Sequence, residues 1–122
     1  MKSAQELFES WRSHPLLDPA LQKELAAMQH DSAAIDDAFG AALQFGTGGL
    51  RGILGVGTNR MNVHVVRRAA QAVTDYLNET SLPKRAAIGY DSRINSERFA
   101  RETACVLAAN GIEANLYPRL EP

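Results

Sequence analysis

Residues 45–62 read FGTGGLRGILGVGTNRMN. This stretch holds six of the chain's nine glycines, Gly46, Gly48, Gly49, Gly52, Gly55 and Gly57, with Arg51 set among them. So much glycine breaks any helix, and whatever precedes and follows it must be organised as separate pieces. Within it, LRGILGV can form a short strand interrupted by turns. On the residues alone two roles stay open. Glycines mark turns and bulges that hold no ligand; a run of amides without side chains can also cradle an anion, to which Arg51 adds a planar fork suited to two phosphate oxygens.

Upstream of the glycines the pattern is helical. Leu7, Phe8 and Trp11 fall on one face of a short helix that Pro15 stops. Asp18 is a good N-cap and Pro19 suits a first helical position, with Leu21, Leu25 and Met28 following at i, i+4 and i+7. Asp31 or Ser32 can cap a third helix whose apolar face carries Ile35, Ala38, Phe39 and Ala42.

Downstream, Asn62 can cap a long helix in which Val63, Val66, Ala70, Val73 and Leu77 advance by three or four, ending near Thr80. RAAIGY (85–90) reads as a short buried strand and DSRINS (91–96) as a polar loop. Ser96 can cap a further helix through Phe99, Thr103, Val106 and Leu107, with Glu97 and Arg101 as an i,i+4 pair and Gly111 as its stop. IEANLY (112–117) is a last strand. The alternation after Phe45 predicts an α/β layer structure with a largely parallel sheet, and divides the chain into a helical arm, 1–43, and an α/β part, 44–122.

Composition bounds the function. A chain of 122 residues encloses one small core, and 45% hydrophobic with 22% charged residues is ordinary globular usage. Thirteen basic and fourteen acidic residues leave a net charge of −1, which argues against nucleic-acid binding by bulk charge. Cys105 is the one cysteine, so no intramolecular disulfide or CxxC metal site exists, and a reducing cytoplasm fits. The N-terminus has no signal-peptide h-region and no window spans a membrane.

Two phosphate-binding patterns fail on the glycine stretch. A Walker A loop needs a Gly-Lys pair, which the chain lacks; a dinucleotide fingerprint needs a third glycine where Arg51 stands, and a strand before it. A second candidate is GYDSR (89–93), at the carboxyl end of a predicted strand, where open α/β sheets collect ligands. Asp91 and Arg93 there equally suit a local pair that fixes the loop. Ser13-His14 reads as a polar break before Pro15, since neighbouring residues rarely aim at each other. His14, His30 and His64 have no metal-ligand spacing, and Cys105, at mid-helix, reads as a small core residue.

Taken together, FGTGGLRG and, about forty residues on, GYDSR closely resemble the N-terminal domain of the α-D-phosphohexomutase superfamily. Trp11, HPLLD (14–18) and GTNRMN (57–62) make the likeness more specific to its phosphoglucomutase/phosphopentomutase branch, and it covers nearly the whole chain. The resemblance implies a three-layer α/β/α fold with a small, mostly parallel (mixed) sheet behind the helical arm, here as an incomplete domain. It implies a Mg²⁺-dependent enzyme that moves a phosphoryl group between positions of a hexose or pentose phosphate through a phosphoserine and a sugar bisphosphate intermediate. By match to the motif, Thr47, Gly48, Gly49 and Arg51 would face the phosphate, with Asp91 and Arg93 supporting the same rim.

The departures follow from the same likeness. The TASHNP-like loop with the nucleophilic serine, the DGDxDR-like metal loop and the later domains have no counterpart in this sequence. The chain by itself is therefore expected to have no catalytic or metal-binding residues and no turnover, its partners being a sugar phosphate and the C-terminal domains of a longer parent. The alternative is an α/β module that binds a phosphorylated ligand or a protein partner without catalysis.

Overall fold

A computed structural model describes residues 2–46 and 49–117 of the chain. Three helices precede the glycines: α1 (Ala4–Arg12), α2 (Pro19–Ala27) and α3 (Ser32–Phe39). A capping box starts α1: Ser3 Oγ accepts from the Glu6 N–H, and the Glu6 carboxylate accepts from the Ser3 N–H, which satisfies donors that a first turn leaves orphaned. Asp31 caps α3 by accepting from the Ala34 N–H at 3.1 Å. Asp18 stands at the N-cap of α2 with Pro19 beside it, as its spacing predicts, but its carboxylate accepts no cap bond from that helix. Its amide instead donates to His64 Nε2 at 3.4 Å.

The chain forms two units, one reaching to Val65 and one beginning at Val66. In the first, the apolar faces of the three helices close on each other: Phe8, Leu21, Leu25, Ile35 and Phe39 are buried in one cluster that also takes Val56 from the glycine stretch. That stretch opens with a minimal antiparallel pair, β1 (Phe45–Gly46) with β2 (Gly49–Leu50), in the register Phe45↔Leu50 and Gly46↔Gly49.

The second unit contains most of α4 (Val63–Glu79), then β3 (Arg85–Ile88), α5 (Ser96–Ala109) and β4 (Glu113–Leu116). Strands β3 and β4 pair in parallel, Arg85↔Glu113 through Ile88↔Leu116, and parallel neighbours require a crossover, which α5 supplies. Gly111 stops α5 in a Schellman turn: φ is +80°, its amide donates to Ala108 O, and that of Ile112 donates to Leu107 O. Between α4 and α5, Arg67 Nε bonds Glu102 Oε2 at 2.8 Å and the amides of Gln71 and Asn110 pair reciprocally. The architecture is the expected mixed α/β one, helix-rich, with one short antiparallel and one parallel sheet among the described residues.

Three local expectations fail in these elements. RAAIGY reads as a buried strand, yet in β3 Arg85 and Ala87 are exposed and Ala86 and Ile88 only half-buried. The buried stripe of α4 runs through Ala70 and Thr74, while Val73 is 45% exposed; an apolar residue was read into the stripe where the helix buries its polar neighbour. Ser96 begins α5 but does not cap it, because Asn95 takes the N-cap position in a left-handed conformation and the Ser96 hydroxyl is committed to Asp91 at 2.7 Å.

Candidate functional site

The glycine stretch is anchored on both sides of Arg51. Before it, β2 is paired to β1. After it, the chain is stitched to residue 61: the Met61 N–H donates to Ile53 O at 2.8 Å, the Gly55 N–H donates to Met61 O at 3.1 Å, and Leu54 and Met61 form a parallel bridge. Arg51 itself is exposed and forms no hydrogen bond or ion pair with any described residue. An exposed guanidinium between two fixed segments, with no partner among the described residues, can offer its donors to an anion. Gly49 belongs to β2 on this stem; Thr47 and Gly48 lie outside the described residues.

GTNRMN, the downstream half of the stretch, proves to be an anchor to the helical arm. Thr58 Oγ1 donates to Ala41 O at 2.7 Å, and the Leu43 N–H donates to Thr58 O at 2.9 Å. Asn59 reaches α3 twice, by its amide to Ala38 O and by Nδ2 to Asp37 O. Arg60 pairs with the Asp37 carboxylate and also donates to Asp37 O at 3.1 Å. These bonds satisfy carbonyls that the end of α3 leaves without helical partners. Asn62, 4% exposed, works in both directions: Oδ1 accepts from the His64 and Val65 amides at the start of α4, and Nδ2 donates to Gly55 O at 2.9 Å and Gly57 O at 3.0 Å. Its cap was readable from sequence; its grip on the glycines, and the Arg60–Asp37 pair, were not.

In the second unit GYDSR follows the carboxyl end of β3, the edge expected of it. Asp91 Oδ1 accepts from Ser96 Oγ at 2.7 Å and from the Arg93 N–H at 3.1 Å, and Oδ2 accepts from Arg93 Nε at 2.7 Å. The Asp91–Arg93 pair thus fixes this turn. The Ser96 hydroxyl, then the Arg93 amide and guanidinium, hold the Asp91 carboxyl below the usual carboxylate range. A lowered carboxyl stabilises the folded turn above its ordinary pKa, and that contribution is lost as pH falls through the lowered value. Replacing Ser96 with Ala should raise the Asp91 midpoint, measured by carbon-detected NMR titration of its carboxyl; an unmoved midpoint would remove the hydroxyl as the leading cause.

The remaining candidates have structural explanations. Ser13 Oγ donates to Glu9 O and Ser10 O, and His14 Nδ1 accepts from the Leu16 N–H, so the pair forms the expected polar break after α1. Cys105 is exposed on α5, not a core residue, because the buried side of that helix carries Ala100 and Leu107. Among the described residues no group of three or more His, Cys, Asp or Glu side chains could hold a metal ion, and no helix is long and apolar enough to cross a membrane.

Comparison with known proteins places the chain in a family. A family model described as phosphoglucomutase/phosphomannomutase, alpha/beta/alpha domain I, matches residues 42–120, which takes in both the Arg51 loop and the Asp91 turn. The chain is 41% identical over 76 residues to a phosphoglucomutase of Staphylococcus saprophyticus, covering 62% of this chain and 14% of that protein. It is 33% identical over 122 residues to a probable phosphoribomutase of Schizosaccharomyces pombe, covering 95% and 20% respectively, and 29% identical over 121 residues to a phosphopentomutase of Mus musculus, covering 92% and 19%. The chain thus spans between 14% and 20% of the length of these relatives. No solved structure matches it. With the family model covering well over half of its residues, the chain belongs to the phosphoglucomutase/phosphomannomutase family, as its alpha/beta/alpha domain I.

Proposed function

We propose that the chain supplies the phosphate-facing wall of a phosphosugar mutase, an enzyme that transfers a phosphoryl group within a hexose or pentose phosphate by way of a phosphoserine and a sugar bisphosphate. The observation that carries this reading is Arg51: exposed, without a described partner, and set between two hydrogen-bonded segments. Phosphoryl transfer relies mainly on positioning and charge stabilisation, and a pre-placed guanidinium fork contributes to both. Thr47, Gly48 and Gly49 are the remaining phosphate-binding candidates of this motif, and Asp91 and Arg93 are candidates for a supporting, non-reacting role.

In this reading the metal, the serine nucleophile and the sugar-selecting groups come from other domains of a longer cytoplasmic protein; among the described residues no cluster of three or more His, Cys, Asp or Glu side chains could hold Mg²⁺. A titration tests the reading. The 122-residue chain should bind inorganic phosphate and glucose 1-phosphate with amide shifts at residues 49–52, and Arg51→Ala should abolish them. With glucose 1-phosphate, Mg²⁺ and a sugar bisphosphate it should give no turnover above blank. Unchanged phosphate affinity in the variant would refute the role of Arg51, and measurable turnover would refute the division of labour.

A further inference from the structure

We infer that Asn62 is a positioning residue for the Arg51 loop, acting through the carbonyls of Gly55 and Gly57. The inference rests on the reading of Arg51 as a phosphate ligand. An N-cap needs only an acceptor, since its task is to satisfy the first free amides of a helix. Asn62 performs that task with Oδ1 alone, at 3.1 Å from the His64 amide and 3.0 Å from that of Val65. Its other half is not required for capping, yet Nδ2 spends both hydrogens on the glycine stretch, at 2.9 Å to Gly55 O and 3.0 Å to Gly57 O. Every hydrogen-bonding position of the buried side chain is therefore used, and it joins the start of a helix to the loop that carries Arg51.

The route from Asn62 to Arg51 is short. Gly55 is held to Met61 by its amide, and Ile53 O accepts from the Met61 amide; Arg51 lies two residues before Ile53. Releasing Gly55 and Gly57 would remove two of the bonds that hold that strip of backbone, leaving it to the Met61 bonds, the β1–β2 pairing and the burial of Val56. The guanidinium would then sample more positions, and an anion would have to order it on binding.

Two variants separate the halves of the side chain. Asn62→Ser keeps a neutral cap but is too short to reach both glycine carbonyls; Asn62→Asp keeps reach and cap but has no donor. Each is expected to retain a cooperative melt, to speed amide exchange at Gly55 and Met61, and to bind inorganic phosphate roughly three- to tenfold more weakly than wild type. Ile112→Val, a buried change in the second unit, should lower stability without altering phosphate affinity. Wild-type affinity in both Asn62 variants, or an equal loss in Ile112→Val, would overturn the positioning role. Absence of phosphate binding by the wild-type chain would instead refute the reading of Arg51, and the inference with it.

Discussion

Alanine at Gly57 is expected to destabilise the first unit by about 3–5 kcal/mol, a loss at the upper end for a single added methyl group. The backbone there has φ +126°, a region L-residues rarely occupy, and a Cβ would stand 2.3 Å from the carbonyl oxygen of Ala38. Strain alone accounts for about 1–3 kcal/mol. The clash adds to it because neither side can yield cheaply: Ala38 O accepts from the Asn59 amide, and Gly57 O accepts from Asn62 Nδ2. Moving either carbonyl breaks a bond that ties the glycine stretch to α3 or to the cap of α4. Gly46→Ala is the matched comparison, since among the described residues the nearest atom to its Cβ, outside its chain neighbours, would be Gly49 O at 3.7 Å; there the change should stay within about 1 kcal/mol. Urea denaturation of the two variants measures the difference, and equal midpoints would show that the glycines are interchangeable.

That contrast also bears on what the sequence could and could not reveal. The start of α4 at Asn62 and the stop of α5 at Gly111 were legible because caps and Schellman turns are decided by a few neighbouring residues. The parallel pairing of β3 and β4 followed from the spacing of strand, helix and strand. Which side of α4 is buried was not legible at Val73 and Thr74, because periodicity ranks residues by polarity whereas the choice is made by what packs against them. Ser96 was misread for a related reason: its hydroxyl had two possible partners, and Asp91, five residues back, took it.

The candidate site shows the same division. Arg51 stood out because an arginine among glycines is locally unusual. The residues that hold its loop did not, since Arg60 and Asp37 are 23 positions apart and an ion pair between a loop and a helix end leaves no period to read. GTNRMN carried the family likeness without disclosing its work. In the structure that work is mechanical, with Gly57, Asn59 and Arg60 touching or bonded to the end of α3 and Thr58 bonded to Ala41 and Leu43 just beyond it.

Phe39→Ala should have a comparable effect, about 3–5 kcal/mol, and should reach the loop through the packing that supports it. Phe39 is 1% exposed and meets two rings edge-on, Phe8 at 6.1 Å and Trp11 at 5.4 Å between centroids; Trp11 in turn meets His64 at 5.7 Å. Edge-to-face pairs add about 0.5–1.5 kcal/mol to the area they bury, and truncation removes two of them while opening a cavity among α1, α3 and Val56. Phe39 is also the last residue of α3, so the cavity lies beside the carbonyls of Asp37 and Ala38 that receive Asn59 and Arg60. Loss at this position should therefore appear twice: as a lower urea midpoint, followed by the fluorescence of Trp11, the sole tryptophan, and as faster amide exchange at Asn59 and Met61. Phe39→Leu, which keeps most of the volume, should lose much less. If Phe39→Ala lowered the midpoint but left the exchange of Asn59 and Met61 unchanged, the loop would be held by its own hydrogen bonds without support from the helical core, and the arm would have no part in placing Arg51.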